Sequence, residues 1–482
     1  MLGSQDRWQE DIFVACPLRD LIPEDHVLKR VDKVLDLAWL REEVADCYSD
    51  SLGRPSIDPE AAVRLTLAGF FQGITHDRHL MREAQVNLAI RRFAGYRLHD
   101  RLPDHSSLTR IRQRWGPERF RRIFEHTVRR CVEAGLVTGE TLHVDATLIR
   151  ADASWQSFVA VHADKVLRDN PGEEEPKDPP PPRRGRPRKN PPKVKKRSTT
   201  DPEATLAAPN PLRVPEPSYK EHVAVDSQSG VVVDVHVTTG EVSEGDELTA
   251  QVERAEALVG RRPVTVSADG SYGQASVFAW MEDHTIHTVI PPRQPKSRPT
   301  RIPLCRFRYD AKHGLVRCPR GRKMHRTTRL DDGWLYSARA RDCRGCPLRG
   351  RCVTAGASAK AVLITDGYEA LLRARRRLER WSPEERAFYE RHRWQVEGRH
   401  AEAKHRHGLR RAVRRGLAQV AIQGYLTAAV MNLKRLAALL GLRLVHLGRL
   451  WHRLKPHATN LRPPHGASRA AAIAHRSLAL AA

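Results

Sequence analysis

Three acidic residues in separate parts of the chain have the types and surroundings needed for metal-dependent chemistry. Asp145 lies in the segment HVDATLIRAD, Asp269 in VTVSADGSYG and Glu397 in RWQVEGRHAEAK. Carboxylate oxygens are hard ligands suited to Mg²⁺ and Mn²⁺, and two such ions ~3.5–4 Å apart clamp both oxygens of an in-line phosphoryl displacement. If the fold brings these three carboxylates together, the sequence predicts metal-dependent phosphoryl transfer.

The elements that would position the two aspartates are strands. From residue 140 the pattern runs TLHVDATLI, KEHVAVD, GVVVDVHVTT, a helix over 244–258, VTVSAD, a helix over 275–283 and HTVI. This order predicts an α/β fold with one mixed sheet and covering helices. Asp145 falls inside the first strand and Asp269 just beyond a later one, and sites in open α/β sheets form at the carboxyl ends of strands.

The third acid belongs to a helical pattern that opens with SPEE. Arg393, Glu397 and Lys404 stand at positions i, i+4 and i+11, which a helix places along one broad face. Glu402 is a competing carboxylate, but a helix rotates it about 140° away from Glu397. If the segment stood alone, ordinary solvated salt bridges would be the better interpretation.

The net charge indicates a polyanionic partner. The 482 residues contain 83 Lys and Arg against 57 Asp and Glu, a formal charge of +26 with a pI near 10.3. Such a field attracts nucleic acid, with an affinity that falls steeply with salt; the alternative is a merely charged surface. No apolar run reaches the roughly 18 residues of a membrane span, and MLGSQDRWQEDIF lacks a secretion-signal pattern. We therefore expect a cytoplasmic protein without membrane contact.

The first 138 residues are predicted to be helical from their apolar periodicity. Asp58, before Pro59, and Asp104 have the character of helix starts. Five arginines of this region could line an exposed side and contact DNA phosphates: Arg64, Arg78, Arg91, Arg110 and Arg112. The alternative for any one of them is an ordinary solvated helix face.

Two segments interrupt the predicted sheet. Residues 165–217 pass from acidic GEEEPKD through PPPP to basic RRGRPRKNPPKVKKR, a composition that predicts disorder in the free chain. Within it, Arg184-Gly185-Arg186-Pro187 is similar to an AT-hook core, whose arginines enter narrow A·T minor grooves. An electrostatic tether, or a linker with no role, is the alternative.

The second interruption, residues 291–380, is rich in cysteine. Five of the eight cysteines lie between Cys305 and Cys352, and in a reducing compartment this favours metal ligation over disulfides. Cys318, Cys343, Cys346 and Cys352 have the spacing of a closed structural Cys₄ zinc site. Cys305 could replace Cys318, His325 is a spare candidate, and unliganded thiols are the alternative to zinc.

The order of several motifs resembles a known family. DHVLKRV, GRPSIDPEAAVRLTLAGFFQGI, PDHSSLTRIR, VEGRHAEAK and AAVMNLKRL follow one another as in bacterial insertion-sequence transposases of the DDE class. The similar subgroup has a helical N-terminal domain and a Cys-rich insertion before the catalytic Glu. The resemblance implies an RNase H-like catalytic domain, with Asp145, Asp269 and Glu397 holding two Mg²⁺ or Mn²⁺ ions. It also implies that Arg393 and Lys404 contact terminal phosphates, whereas Tyr389 stands one residue further from Arg393 than the family signature expects.

The resemblance and the patterns together predict a division of the chain. A DNA-binding domain over 1–138 precedes a catalytic domain split into 139–164, 218–290 and 381–440, with the linker 165–217, the zinc insertion 291–380 and a basic tail 441–482. The implied function is metal-dependent cleavage at transposon ends and strand transfer into target DNA, by a nucleoid-associated homo-oligomer on double-stranded DNA. A noncatalytic, transposase-derived DNA-binding protein and a hydrolytic nuclease without strand transfer remain alternatives.

Overall fold

The computed structural model of the protein describes residues 16–49, 56–160, 196–209, 212–293 and 301–458. Arg184 and Arg186 lie outside these residues, so the minor-groove prediction stays a prediction. The backbone of Arg393 is described as helical, but its side chain lies outside the described part. Among the described residues, no helix combines the length and the apolar character that crossing a membrane requires.

The N-terminal region is helical, as predicted. Its helices are α1 (Val27–Asp32), α2 (Leu40–Glu43), α3 (Pro59–Phe71), α4 (Asp77–Val86), α5 (Leu88–Phe93) and α6 (His105–Glu133). The Asp58 carboxylate accepts the N–H groups of Glu60 and Ala61, so it caps α3. Helix α6 bends at Gly116, where φ is 67° and Pro117 follows.

Two of the arginines assigned to a DNA-facing side are buried, so that prediction was wrong for them. Arg91 donates to the backbone carbonyls of Arg97, Leu98 and Asp100, and it therefore closes a turn. Arg112 pairs with the buried carboxylate of Asp77. Periodicity could not separate these two from exposed arginines, because a guanidinium can enter the protein wherever carbonyls or a carboxylate satisfy it.

The central sheet is mixed. It contains β1 (Thr141–Arg150), β4 (Thr205–Ala207), β5 (Glu216–Asp226), β6 (Val232–Thr239), β7 (Thr265–Ala268) and β8 (His287–Val289). The order is β4-β5-β1-β7-β8, and β6 also pairs with β5. Strand β5 runs antiparallel to β1 and β6, whereas β1, β7 and β8 are parallel. Helices α7 (Glu244–Val259) and α8 (Ala275–Asp283) follow β6 and β7, so the predicted order of elements is confirmed.

Part of the segment predicted as a disordered linker is ordered. Strand β3 (Lys196–Ser198) pairs with β2 (Phe158–Ala160), and β4 lies beside β5. The prediction was wrong from residue 196 onward because polar contacts replace apolar burial there. The Ser198 hydroxyl accepts the N–H groups of Thr200 and Asp201, and the buried Asp201 carboxylate accepts the Tyr219 hydroxyl at 2.6 Å.

The cysteine-rich insertion forms a second sheet. Strands β9 (Arg308–Asp310), β10 (Leu315–Arg317), β11 (Lys323–Leu330), β12 (Gly333–Ser337) and β13 (Ala361–Thr365) are antiparallel neighbours in sequence order. Short helices α9 (Ala340–Arg344) and α10 (Arg349–Cys352) lie between β12 and β13, and α11 (Tyr368–Leu378) follows. The insertion therefore has its own β layer beside the central sheet.

Two long helices end the described chain. Helix α12 (Pro383–Arg406) begins with a capping box between Ser382 and Glu385. Helix α13 (Leu417–Ala458) runs 18 residues past position 440, where the sequence analysis placed the start of a basic tail. The helix continues there because leucine and arginine, both good helix formers, recur without a proline until Pro456. The division of the chain at this position stays a prediction.

Helix α13 joins the N-terminal helices to the central sheet. The buried Asn432 amide donates to the Val232 carbonyl and its oxygen accepts the Val232 N–H, at 2.8 and 2.9 Å. The Tyr425 ring stacks on Phe124 of α6 with centroids 6.3 Å apart. Because the buried apolar residues of all three elements form one cluster, the helical region and the sheet share a hydrophobic core.

Candidate active site

The structure places Asp145 and Asp269 side by side. Strands β1 and β7 are parallel, with Val144 opposite Ala268. Asp145 is the next residue of β1, and Asp269 is the first residue after β7. Neighbouring strands lie about 4.8 Å apart. Both carboxylates are partly exposed. The sheet register therefore brings together two acids that are more than a hundred residues apart in the sequence.

Helix α12 covers this part of the sheet. Its Phe388 ring stacks on the buried His143 of β1 with centroids 5.2 Å apart. Further along the helix, His400 is 8% exposed and its Nε2 lies 3.5 Å from Oδ2 of Asp145. Glu397 stands three residues before His400, which places the two on neighbouring positions of one helix side. Glu397 itself is exposed.

Glu402, the competing acid, has a different role. Its carboxylate accepts from Lys434 at 2.6 Å and from Arg435 at 3.0 Å, both on α13. Burial alone would raise the pKa of Glu402, but hydrogen bonds with His407 and Lys434 and the nearby positive charges outweigh burial and lower it to about 2. Glu402 therefore joins two helices and is turned away from the aspartates.

Asp269 lies in a polar turn after β7. Its Oδ1 accepts the Ser271 N–H at 2.8 Å and the Ser271 hydroxyl at 2.5 Å. The same hydroxyl contacts Glu244 at the start of α7, and Glu244 lies 3.3 Å from Lys220. Burial, followed by the charges of Asp145, Glu244 and Asp269, raises the pKa of the Tyr272 phenol well above its usual value. Tyr272 therefore stays a neutral group next to the acids.

A buried polar layer lies behind Asp145. Glu221 of β5 is 3% exposed and stands opposite Thr147, two residues along β1 from Asp145. Burial raises the pKa of Glu221 to about 7, against the opposing charges of His400 and Lys404. Burial also lowers the pKa of Lys404, while Glu221 and Asp145 oppose this change. Lys404 thus lies close enough to Glu221 and Asp145 to feel their charges, while its contact with DNA phosphates stays a prediction.

Several residues of this region escaped the sequence analysis. His400 lies one helical turn after Glu397, a spacing that could have pointed to it. Glu221 and Glu244 gave no separate signal, because a lone Glu in a strand or at a helix start is most often a solvated residue. Tyr389, which departs from the family spacing by one residue, packs its ring on Trp381 with centroids 5.5 Å apart.

The four predicted zinc ligands line one small cavity. Cys318, Cys343, Cys346 and Cys352 surround a space of about 20 Å³. Burial raises the pKa of the Cys352 thiol. The positive charge of Lys360 opposes this increase, whereas negative charge on Cys343, Cys318 and Cys346 adds to it. The alternative ligand Cys305 is exposed and does not line the cavity. The structure therefore groups the chosen four cysteines.

Neither cluster has the geometry of a finished metal site. Within the ranges that the structure describes, no three His, Cys, Asp or Glu side chains are arranged so that they could hold a metal ion. The roles of the carboxylates and the thiols as metal ligands consequently stay predictions. What the structure supplies is the placement of the donor groups.

Comparison with protein families gives two matches. Residues 17–114 match a family described as "Transposase domain (DUF772)". Residues 317–437 match a family described as "Transposase DDE domain". The second match spans much of the insertion, all of α12 and the first half of α13, and it includes Glu397 and Lys404. No curated protein matches the chain.

Solved structures give distant similarities. A piggyBac transposase synaptic complex with hairpin DNA matches with 11% identity over 92% of this chain and 86% of that chain, at a TM-score of 0.29. A Mos1 transposase paired-end complex with the left transposon end matches with 12% identity over 52% of this chain and 65% of that one, at 0.16. At such TM-scores the likeness carries no argument about this chain.

Proposed function

Since the chain belongs to the insertion-sequence transposases of the DDE class, we propose that it cleaves DNA at transposon ends and joins those ends to target DNA. The observation that carries this proposal is the placement of Asp145 on β1 and of Asp269 directly after the adjacent parallel strand β7, with His400 of α12 3.5 Å from Asp145. Glu397 lies on the same helix, one turn before His400. An enzyme of the transposase type is what the DDE-domain match supports.

We further propose that the central sheet is RNase H-like. Its strand order and directions support this: β6, β5 and β1 are antiparallel neighbours, and β7 and β8 extend the sheet in parallel from β1. The helical region over 1–138 would act as the DNA-binding domain. Of its five named arginines, Arg78 and Arg110 are exposed and suited to phosphate contact.

The residues present fit divalent metal ions. Asp145, Asp269 and Glu397 offer hard oxygen donors. Nε2 of the buried His400 makes no hydrogen bond in the described structure, although it lies 3.5 Å from Oδ2 of Asp145. When bound there, Mg²⁺ or Mn²⁺ would stabilise the charge that develops on reacting phosphate oxygens. The three carboxylates would hold the ions, and Lys404 together with Arg393 would orient the phosphates of the transposon end.

The proposed reaction has two steps, hydrolysis at the transposon end and strand transfer into target DNA. Water attacks a phosphodiester at the transposon end, a new P–O bond forms, and the 3′-oxygen leaves as a free hydroxyl. That 3′-hydroxyl then attacks a phosphodiester of target DNA, and the 3′-oxygen of the target leaves. Neither step needs a covalent protein intermediate or a nucleotide energy source. Double-stranded DNA is thus both substrate and partner, and we propose that a homo-oligomer brings the two ends together.

We also propose that the cysteine cavity holds a structural zinc ion. Its volume of about 20 Å³ suits one small ion, and four thiolates would leave no open coordination position for water. The zinc would link the β10–β11 turn, which carries Cys318, to the segment of α9 and α10. Its role would be to stabilise an insertion that has little apolar core.

The function can be tested with purified full-length protein, Mg²⁺ or Mn²⁺, and DNA that carries the flanks of the gene. The 3′ ends are mapped for the wild type and for Asp145→Asn. Discrete metal-dependent nicks at inverted repeats, lost in the variant, and joined products with target DNA would support the proposal. Nicks without joined products would indicate a nuclease. Specific binding by folded protein without cleavage would favour the noncatalytic alternative.

A further inference from the structure

The insertion carries a disproportionate share of the positive charge. Residues 301–365 contain sixteen Lys and Arg against four Asp and Glu, a formal +12 out of the +26 of the whole chain. Only Arg329 among these cations forms an ion pair in the described structure, with Asp366 at 2.7 Å. The other cations of the insertion form no ion pair in the described structure, although the charge of Arg317 contributes to the lowered pKa of Asp310.

Three of these cations form a row across the sheet. In the strand register, Arg308 of β9 lies opposite Arg317 of β10, and Arg317 lies opposite Lys323 of β11. Residues directly opposite each other point to the same face, with Cβ atoms about 4.5–5.5 Å apart. All three side chains are exposed. We call this row the cationic ladder.

The ladder is unfavourable for the isolated fold. Like charges directly opposite on neighbouring strands destabilise a sheet, and three in a row give two such contacts. The nearest acid on the same strands, Asp310, is already held by His313 at 2.9 Å, and this hydrogen bond is the main reason that its pKa is lowered. A polyanion would remove the repulsion.

The surroundings of the ladder extend it and hold it in place. The turn between β10 and β11 exposes Arg320 and Arg322, and it is closed by the Cys318 N–H bonded to the Arg322 carbonyl at 2.9 Å. Both arginines also line the cysteine cavity. The charges are consequently placed on a sheet and a closed turn, which limits the entropy lost when they bind.

We propose that the cationic ladder is a binding surface for the phosphate backbone of double-stranded DNA. The row spans roughly 10 Å at the spacing of neighbouring strands, and a duplex carries one charge per about 1.7 Å of its axis. The ladder therefore faces about six phosphate charges. The proposal rests on the proposed function for its choice of DNA, and it adds a contact outside the carboxylate site, on a different sheet.

The test compares full-length wild type with the triple variant Arg308→Gln, Arg317→Gln and Lys323→Gln. The dissociation constant for a 40-base-pair duplex is measured from about 50 to 200 mM salt. Each lost phosphate contact reduces the slope of log K against log salt by roughly 0.9. The slope of the triple variant should therefore be smaller by roughly 2.7. Its affinity at low salt should fall by at least about tenfold.

The matched control is Arg329→Gln. Arg329 lies on β11 of the same sheet and is exposed, but its guanidinium is already paired with Asp366. Its substitution should leave the salt slope unchanged. Thermal melting and zinc content are measured for every variant, since Arg320 and Arg322 connect this region to the cysteines.

Each outcome has one meaning. A wild type that fails to bind DNA overturns the proposed function and, with it, the ladder as a DNA contact. A wild type that binds, with a triple variant of equal slope, overturns the ladder alone. A triple variant with lower melting temperature or zinc content but an unchanged slope shows that these cations support the thiol cluster instead. Binding to polyglutamate is measured for the same proteins. If the triple variant keeps the DNA slope of the wild type but no longer binds polyglutamate, the ladder is a surface for an acidic protein.

Discussion

Glu221 is a buried carboxyl whose ionisation should leave a measurable mark on stability. Its usual pKa near 4.5 applies to the unfolded chain, while burial raises the folded value to about 7 despite His400 and Lys404. Between these values the unfolded chain releases the proton first, so stability falls as pH rises and then stays level above 7. We expect Glu221→Gln to remove about 3 kcal/mol of this pH dependence.

The measurement is urea unfolding of wild type and Glu221→Gln at pH 5 and pH 8. The difference between the two proteins isolates Glu221 from other titrating groups, including His222, whose pKa burial lowers to about 3. An equal pH dependence in both proteins would show that Glu221 is ionised in the folded state throughout this range.

Glu397 and Glu402, five residues apart on α12, should fail in different ways when substituted. Glu397→Gln should abolish cleavage and leave DNA binding and stability unchanged, because the exposed carboxylate is proposed to hold metal. Glu402→Gln should cost roughly 2 kcal/mol of stability, since it weakens charged hydrogen bonds from Lys434 and Arg435. Urea unfolding and 3′-end mapping on both variants test this. Cleavage lost in Glu402→Gln at full stability would exchange the two roles.

At the level of single residues the sequence was informative about strand ends and helix faces. Asp145 and Asp269 were predicted as a pair because β-branched runs preceded or enclosed them, and the register places them side by side. His400 and Glu221 were not, because their importance comes from contacts between α12, β5 and β1 that a one-dimensional pattern does not contain.

Among the elements, the cysteine-bearing turns and short helices offer the clearest test. Cys346→Ser should release one zinc ion per chain and lower the melting temperature, because the insertion would lose its cross-link. Cys305→Ser is the matched control: it lies in the same insertion, is exposed and does not line the cavity. Zinc content by elemental analysis decides. Zinc lost in Cys305→Ser but kept in Cys318→Ser would select the alternative ligand set.

Element order was the most predictable part of the fold. The predicted strands correspond to β1, β5, β6, β7 and β8, and α8 has the predicted bounds of 275–283. Segment 196–209 escaped prediction because its order depends on polar partners, such as the bond from Tyr219 to Asp201, that lie elsewhere in the fold. The bounds of helix α13 were not predicted, because the basic composition after residue 440 does not show where a helix ends.

On the scale of the whole molecule, charge joins the N-terminal helices to the loop between α12 and α13. The Asp77 carboxylate on α4, 9% exposed, contacts Arg112 of α6 and accepts from Arg414 at 2.7 Å. Arg112 is 3% exposed, and burial, together with the charge of Arg414, lowers its pKa to about 10 against the pull of Asp77. One carboxylate thus offsets two guanidinium groups that belong to different parts of the chain.

Asp77→Ala should therefore destabilise the protein strongly, by about 3–5 kcal/mol, because removing one partner leaves a buried charge uncompensated. Asp152→Ala is the matched control. The Asp152 carboxylate pairs with Arg411 at 2.8 Å and with Arg415 at 3.7 Å, and both arginines lie in the loop between α12 and α13. Because the Asp152 side chain is 40% exposed, Asp152→Ala should lower the free energy of unfolding by less than about 1 kcal/mol. Urea unfolding gives both values.

Because the helices and the sheet share a core through α13, the loss of stability in Asp77→Ala should shift one common unfolding transition. A separate early transition in Asp77→Ala would instead show that the N-terminal helices unfold independently of the sheet that carries the aspartates.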